Sequence, residues 1–419
     1  MVAEATGKAS RTTQQAYLAE EPSAHERSVR PTARRGLLFA LLVWFVVRVI
    51  LSVWGFVVVA ASNPVSYRYI FEVHQDVAPP TQDVYGYSVG IWNIYDVRHY
   101  VTIAENGYSS NPDWLPAYFP GFPLLILAIG PLFAGDSLLA SFVIANLAAI
   151  VFFWYLYRLV ELDHGEAVAR RAVVLSAVFP SAFFLFLGYS EAPLLAFSVA
   201  ALYYGRQGRW WLAGLLGGAA ALTKQPGIFL APALIYMYWQ QCPTRDLRYF
   251  IKKLDWLWLL LLPASALGYT LYRYLVIRAP ITGVTDVGGE QELAFPGYAL
   301  VKALSVARLD NPLLPLNLMD IAFTVLVLVL VLGMIAKKGV ASYPMYTVPL
   351  LLANLSVSMA SYYLRPEINM PRRMFLLFPI FIYLAVVTEE RHVFKYVVLV
   401  SFVLFLILSA LFVSWIFVS

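Results

Sequence analysis

LLFALLVWFVVRVILSVWGFVVVAA, residues Leu37 to Ala61, carries a single charge, Arg48. As a helix this run is long enough to cross the roughly 30 Å hydrocarbon core of a bilayer. Comparable runs recur near 138–160, 255–277, 317–336 and 395–417, with shorter or weaker ones near 170–188, 191–206, 210–223, 226–240, 341–362 and 373–388. The chain is 60% hydrophobic and only 13% charged, and its mean hydropathy of +0.69 excludes an ordinary soluble protein. The runs are too long and continuous for barrel strands, so the predicted fold class is an all-α polytopic membrane protein. Aromatic residues gather near span ends, as interfacial belts require.

Basic residues set the topology. The segment 119–134 is apolar but interrupted by Pro120, Pro123 and Pro131. If it crosses fully, the loop with Arg158, Arg170 and Arg171 falls outside. If it dips in or lies on the outer face, that loop joins Arg206/Arg209, Arg245/Arg248/Lys252/Lys253, Lys337/Lys338 and Arg391/Lys395 on the cytoplasmic side. The positive-inside rule therefore favours about eleven transmembrane helices, within a range of about ten to twelve, N-terminus in and C-terminus out. Residues 1–36 read as a disordered cytoplasmic tail pinned by Arg30, Arg34 and Arg35, and 37–419 as a single membrane domain. Two stretches face outward, a first extracytoplasmic loop within 62–137 and a second at 278–316. The net charge of +5 is spread over short inter-span loops and is no nucleic-acid signal. Cys242 is the one cysteine and forms no internal disulfide.

This topology collects five small constellations on the outer face. Asp96 opens an amphipathic stretch, 96–106, in which Val97, Tyr100, Val101 and Ala104 recur at helical spacing. It is either a simple helix cap or a general base, with His99 one turn along on its face. Glu191 follows Tyr189 and Ser190 where one span ends and the next begins. It either favours the positive helix end, with Ser190 as cap, or binds substrate. Lys224-Gln225-Pro226-Gly227 turns an apolar hairpin, and Lys224 there is either a snorkelling side chain or a phosphate ligand. Arg365 and the Pro371-Arg372-Arg373 stretch are the fourth and fifth, and their three arginines form the densest outer basic cluster. Their planar forks suit phosphate, with headgroup anchoring as the plainer use. No nucleotide-binding loop or metal-spaced His/Cys cluster appears, so an activated group must arrive already activated. Gly214, Gly217 and Gly218 read as close helix packing.

Tyr95-Asp96-Val97-Arg98-His99-Tyr100, Ile103-Ala104-Glu105-Asn106-Gly107-Tyr108, Tyr118-Phe119-Pro120-Gly121-Phe122-Pro123, Gly188-Tyr189-Ser190-Glu191, Leu222-Thr223-Lys224-Gln225-Pro226-Gly227 and Pro371-Arg372-Arg373 occur in that order. The ordered set resembles the PIG-V type of mannosyltransferase, a branch of the multi-span GT-C glycosyltransferases, over most of 37–390. The resemblance implies a GT-C-like fold and mannose transfer from a polyprenyl-phosphate-linked donor to a lipid or glycolipid acceptor at the extracytoplasmic face. It maps the family's first-loop aspartate onto Asp96 and its tyrosine-hydroxyl-glutamate motif onto Tyr189-Ser190-Glu191. Tyr95 stands where tryptophan is usual, and Lys224 where arginine is common.

The expected chemistry is inverting, with Asp96 as base and Glu191 as a second catalytic acid group. Tyr95, Arg98, His99, Tyr100, Tyr189, Lys224, Arg365, Arg372 and Arg373 are the expected substrate-binding residues. The lipid-phosphate sugar is a co-substrate; the sequence requires no cofactor and leaves room for a divalent metal beside Asp96 and Glu191. The long polar tail leans towards a prokaryotic plasma-membrane protein. The rival reading is a transporter or flippase of a lipid-linked sugar, favoured by Arg48 deep in the first span.

Overall fold

A computed structural model describes residues 24–62, 81–109, 115–242, 252–278, 291–337, 341–359, 363–367 and 369–416. The first half runs through α1 (Ala24–Ala61), α2 (Val84–Ser88), α3 (Asp96–Asn106), α4 (Gly121–Ile129), α5 (Ser137–His164), α6 (Glu166–Ala177), α7 (Glu191–Arg206) and α8 (Trp210–Thr223). Then come α9 (Leu230–Gln241), α10 (Leu261–Tyr272), strand β1 (Gln291–Leu293), α11 (Tyr298–Ser305), α12 (Leu314–Ala336) and α13 (Ser342–Leu355). Strand β2 (Val357–Met359), α14 (Met370–Phe375), α15 (Pro379–Val387) and α16 (Arg391–Val413) complete the order. Helix α1 begins inside the stretch read as a tail. Residues 1–23 of that tail, 63–80 of the first outer loop, Arg245 and Arg248, and 279–290 of the second outer loop lie outside the described residues.

Among the described residues five helical segments are long and apolar enough to cross a membrane: Arg34–Ala61, Ser137–His164, Asp255–Ile277, Leu314–Ala336 and Arg391–Val413. They coincide with the five strong runs of the sequence. Of the weaker runs, 191–206 and 210–223 are the single helices α7 and α8, and the others are broken. The stretch 170–188 divides into α6 and a 3-10 turn at Ala182–Phe186, and 373–388 into the end of α14 and α15. Segment 119–134 forms α4 and a 3-10 turn, Gly130–Phe133. At about 1.5 Å per residue α4 is far too short to cross.

Local chemistry explains the boundaries around the site. The Asp136 carboxylate caps α5 by accepting from the Leu139 amide at 2.8 Å. Gly165, with φ 83°, ends α5 and admits the turn into α6. Helix α5 packs on α1, α6 and α7, and α8 bridges α7 and α10. The glycines of α8 sit at that last contact, as the sequence led one to expect. A Cβ at Gly217 would meet the Leu262 side chain at 2.7 Å. One large core, with Phe183, Phe184, Phe186 and Tyr189 at its centre, joins α5, α7, α12, α14 and α16. A smaller cluster under α3 and α4 holds Tyr100, Ile103, Tyr118 and Phe122. The buried face of α3 is Val97, Tyr100, Ile103 and Ala104, so Ile103 takes the place expected of Val101.

Arg48 is no isolated charge. Its guanidinium donates to the carbonyls of Phe186 at 3.3 Å and Ser88 at 3.0 Å. It ties α1 to α2 and to the turn ahead of α7.

Candidate active site

Helices α3, α7 and α14 and the end of α8 bring four charges into one chain. Arg372 stands at its centre. Its Nη1 donates to Asp96 Oδ2 at 2.6 Å, and its Nε to Glu191 Oε1 at 2.5 Å. Lys224 Nζ reaches the same Glu191 oxygen at 2.5 Å. The order is Asp96, Arg372, Glu191, Lys224, alternating in sign. Glu191 is fully buried, and the Arg372 side chain is 9% exposed. Unpaired, either charge would cost several kcal/mol there.

The sequence positions these groups by close approach and by one costly backbone turn. Tyr95, immediately before Asp96, has φ 53° and ψ −128°. A bulky residue at positive φ stores strain of roughly 1–3 kcal/mol and holds only where its surroundings fix it. The Tyr95 ring is fixed against Phe412 at 5.3 Å and Trp415 at 5.8 Å. Asn369, a residue better suited to positive φ, launches α14 at φ 76° and so aims Arg372. A Cβ at Gly121 would lie 2.7 Å from the Thr223 backbone, so Pro120-Gly121 lets α4 touch the end of α8 beside Lys224.

Asp96 does not cap its helix. Tyr95 holds the cap position, and Asp96 instead accepts from Tyr118 Oη at 3.1 Å and from Arg372. Ser190 is likewise without a capping bond; its hydroxyl lies 2.6 Å from Tyr100 Oη. Burial pushes the Asp96 carboxyl towards protonation, but the charges of Arg372, His99 and Lys224 outweigh it and hold the group below the ordinary carboxylate range. The Arg372 guanidinium stacks on Tyr189 at 4.5 Å and Phe184 at 5.1 Å. Three buried atoms here have no hydrogen-bond partner among the described residues: Arg372 Nη2, Glu191 Oε2 and Tyr189 Oη. Orphaned donors and acceptors clustered around one arginine are what a polar ligand would satisfy.

The structure thus brings together Asp96, Tyr100, Tyr189, Glu191, Lys224 and Arg372, with His99 close enough to act on Asp96 and its ring 5.3 Å from that of Tyr118. Tyr95 supports α3 from behind through Phe412 of α16 and Trp415 just past its end. Arg98, two residues beyond Asp96 on a helix, projects from a different face. Arg365 is elsewhere. Its fork grips Asp320 of α12, Nε to Oδ2 at 2.5 Å and Nη2 to Oδ1 at 3.0 Å, with the pair at most 2% exposed. Arg373 lies within electrostatic reach of Arg372, Asp320 and Glu367. Sequence reasoning missed Tyr118 as a partner of Asp96, although its motif was in view, and missed Asp320 altogether. Among the described residues no three His, Cys, Asp or Glu side chains are gathered for a metal, and the guanidinium of Arg372 lies between the two site carboxylates.

Comparison with known proteins gives the same direction. The family model of dolichyl-phosphate-mannose-protein mannosyltransferase matches residues 119–269, which include Tyr189, Glu191 and Lys224. GPI alpha-1,6-mannosyltransferase 2 of Mus musculus is 32% identical over 160 residues, 35% of this chain and 31% of the relative. The Homo sapiens protein of the same name is 30% identical over 145 residues, 32% of this chain and 29% of its own length. The chain resembles PIG-V-type mannosyltransferases. It spans about a third of the length of these curated relatives.

Proposed function

We propose that the protein is an integral-membrane mannosyltransferase that moves mannose from a polyprenyl-phosphate carrier to a hydroxyl of a lipid or glycolipid acceptor. The single observation that carries this reading is Arg372, shared between Asp96 and Glu191 with a buried Nη2 left over, beside Lys224. Two cations side by side, one with a spare donor, suit a leaving phosphate. The similarity of the chain to mannosyltransferases supplies the sugar.

In the proposed step the acceptor oxygen attacks the anomeric carbon and its proton passes to Asp96. The bond from that carbon to the phosphate oxygen breaks, and the pair of electrons leaves with the phosphate. Attack from the face opposite the phosphate inverts the anomeric centre. Arg372 then exchanges its hold on Asp96 for the phosphate. That exchange frees the carboxylate as its proton arrives, so base and leaving-group stabiliser work through one guanidinium. Glu191 keeps Lys224 and Arg372 in place and offers Oε2 to a sugar hydroxyl. Arg372 and Lys224 supply the positive charge the step needs. About eleven spans, with the site outside, remain the topology that the basic loops favour.

Arg48, the feature behind the rival transport reading, is occupied by two backbone carbonyls. Transfer and flipping are separated by incubating the protein in lipid nanodiscs with labelled polyprenyl-phosphate-mannose and a membrane-lipid acceptor pool. A new glycosidic bond of inverted configuration is expected. Donor recovered unchanged, with every acceptor fraction unlabelled, would sink the reading.

A further inference from the structure

Helix α11 is inside out for a helix in water. It buries Ala299 at 1% and Ala303 at 0% exposure, and presents Tyr298 at 47%, Val301 at 67% and Leu304 at 56%. At about 100° per residue the two alanines and the three large residues fall on opposite faces. A surface helix of a soluble protein does the reverse. Phe295 just before it is 86% exposed, and Leu309 just after it 97%.

The helix has a fixed depth. Asn317, fully buried in the first turn of the membrane-crossing helix α12, donates through Nδ2 to the Ala303 carbonyl at 2.9 Å. α11 therefore lies level with the end of a span, where bilayer meets water. Its unit is also tied to the chain that leads towards Arg372. β1 pairs antiparallel with β2 through Leu293 and Val357, the Ala294 amide donates to Ser356 and the Gly297 amide to Leu355. Asn311 Nδ2 donates to the carbonyl of Leu364 at 2.9 Å.

We propose that residues 292–309 are a membrane-interface anchor, with α11 in the plane of the bilayer and Tyr298, Val301 and Leu304 sunk among lipid at the boundary of headgroup and acyl chain. The occupant of this apolar face is lipid because the face stands at the mouth of a crossing helix, continuous with lipid-facing surface such as Leu318 of α12, 48% exposed. The composition fits that depth. Tyr298 is an interfacial aromatic, and Lys302, its ammonium 6.0 Å from the Tyr298 ring centre, is placed to snorkel towards headgroups. Asp310, exposed beyond the helix, marks the side that faces water.

The test uses nitroxide labels in a Cys242→Ser background, at Val301→Cys, Leu304→Cys and Asp310→Cys, with the full chain in nanodiscs of phosphatidylethanolamine and phosphatidylglycerol. Each variant is first matched to the parent in melting temperature. Oxygen should collide several-fold more often than a nickel chelate at 301 and 304, and the ratio should reverse at 310. Nickel access at 301 and 304 equal to that at 310 would put the helix in water. Exclusion of both reagents would mean that protein covers the face. Either result overturns the anchor. The readout does not involve sugar transfer, so it stands or falls separately from the proposed activity.

Discussion

Replacing Arg372 by lysine keeps the positive charge and removes the fork. Arginine makes two bonds, to Asp96 at 2.6 Å and Glu191 at 2.5 Å, stacks on Tyr189 and holds Nη2 unpartnered. A lysine ammonium reaches one of these carboxylates but not both in the arginine's geometry, and it has no planar edge left for a phosphate. Glu191 keeps Lys224, so no buried carboxylate is stranded. Folding should therefore lose only about 1–3 kcal/mol, the scale of one charged hydrogen bond and its stacking. Catalysis should lose more. One positioned donor to a developing negative charge contributes about 3 kcal/mol, which at 1.36 kcal/mol per decade is a drop of roughly 100-fold in turnover. The assay is single-turnover transfer in nanodiscs at saturating donor. Melting is followed in parallel by a thiol-reactive dye, which reports unfolding because Cys242 is buried. Turnover by the Arg372→Lys enzyme within threefold of the parent would refute the shared-guanidinium argument.

The other predictions test the surroundings. Arg365→Leu leaves the buried Asp320 carboxyl without its fork-to-fork partner, and should cost about 3–5 kcal/mol by chemical denaturation; adding Asp320→Leu should recover most of it. If the double variant retains near-parental transfer, Arg365 belongs to the fold rather than to the donor phosphate. Asp96 is held below the ordinary carboxylate range, so its ionised form persists, and its contribution to stability is lost only as pH falls through that depressed value. The rate should thus show no loss due to Asp96 between pH 7 and about 5, and its acid limb should move upward in Lys224→Met, which removes one of the charges responsible. Gly121→Ala forces a methyl against the Thr223 backbone, and should cost about 1–3 kcal/mol and lower turnover by displacing Lys224, both read on the same nanodisc preparation.

The five long spans were legible because hydropathy over a full bilayer width needs no tertiary information. The broken stretches were not. Pro and Gly at 180–188 and 366–371 signal interruption, but whether a 3-10 turn or a short helix results depends on packing around Phe183 and Phe375. At the site, the expectation that Asp96, Glu191, Lys224 and Arg372 would meet came from sorting charges by membrane face, and these four do. The partner of each was not readable. Arg372 lies 276 residues from Asp96, a separation at which no local periodicity speaks. Arg365 and Arg372 look alike in the sequence, yet one faces Asp320 and the other Asp96, because α14 begins anew at Asn369. Ser190 reads as an ordinary cap and in fact meets Tyr100, a hydroxyl contact across 90 residues.

Single-turnover transfer by Asp96→Asn, with the donor shown by direct binding to remain on the protein, tests the central claim most directly. Asparagine keeps its one acceptor oxygen for Arg372 and turns its NH2 to the Tyr118 hydroxyl oxygen, and it takes no proton. Turnover should fall about 100-fold to 10,000-fold while donor affinity stays within a few-fold of the parent. Near-parental turnover with donor bound would contradict the account.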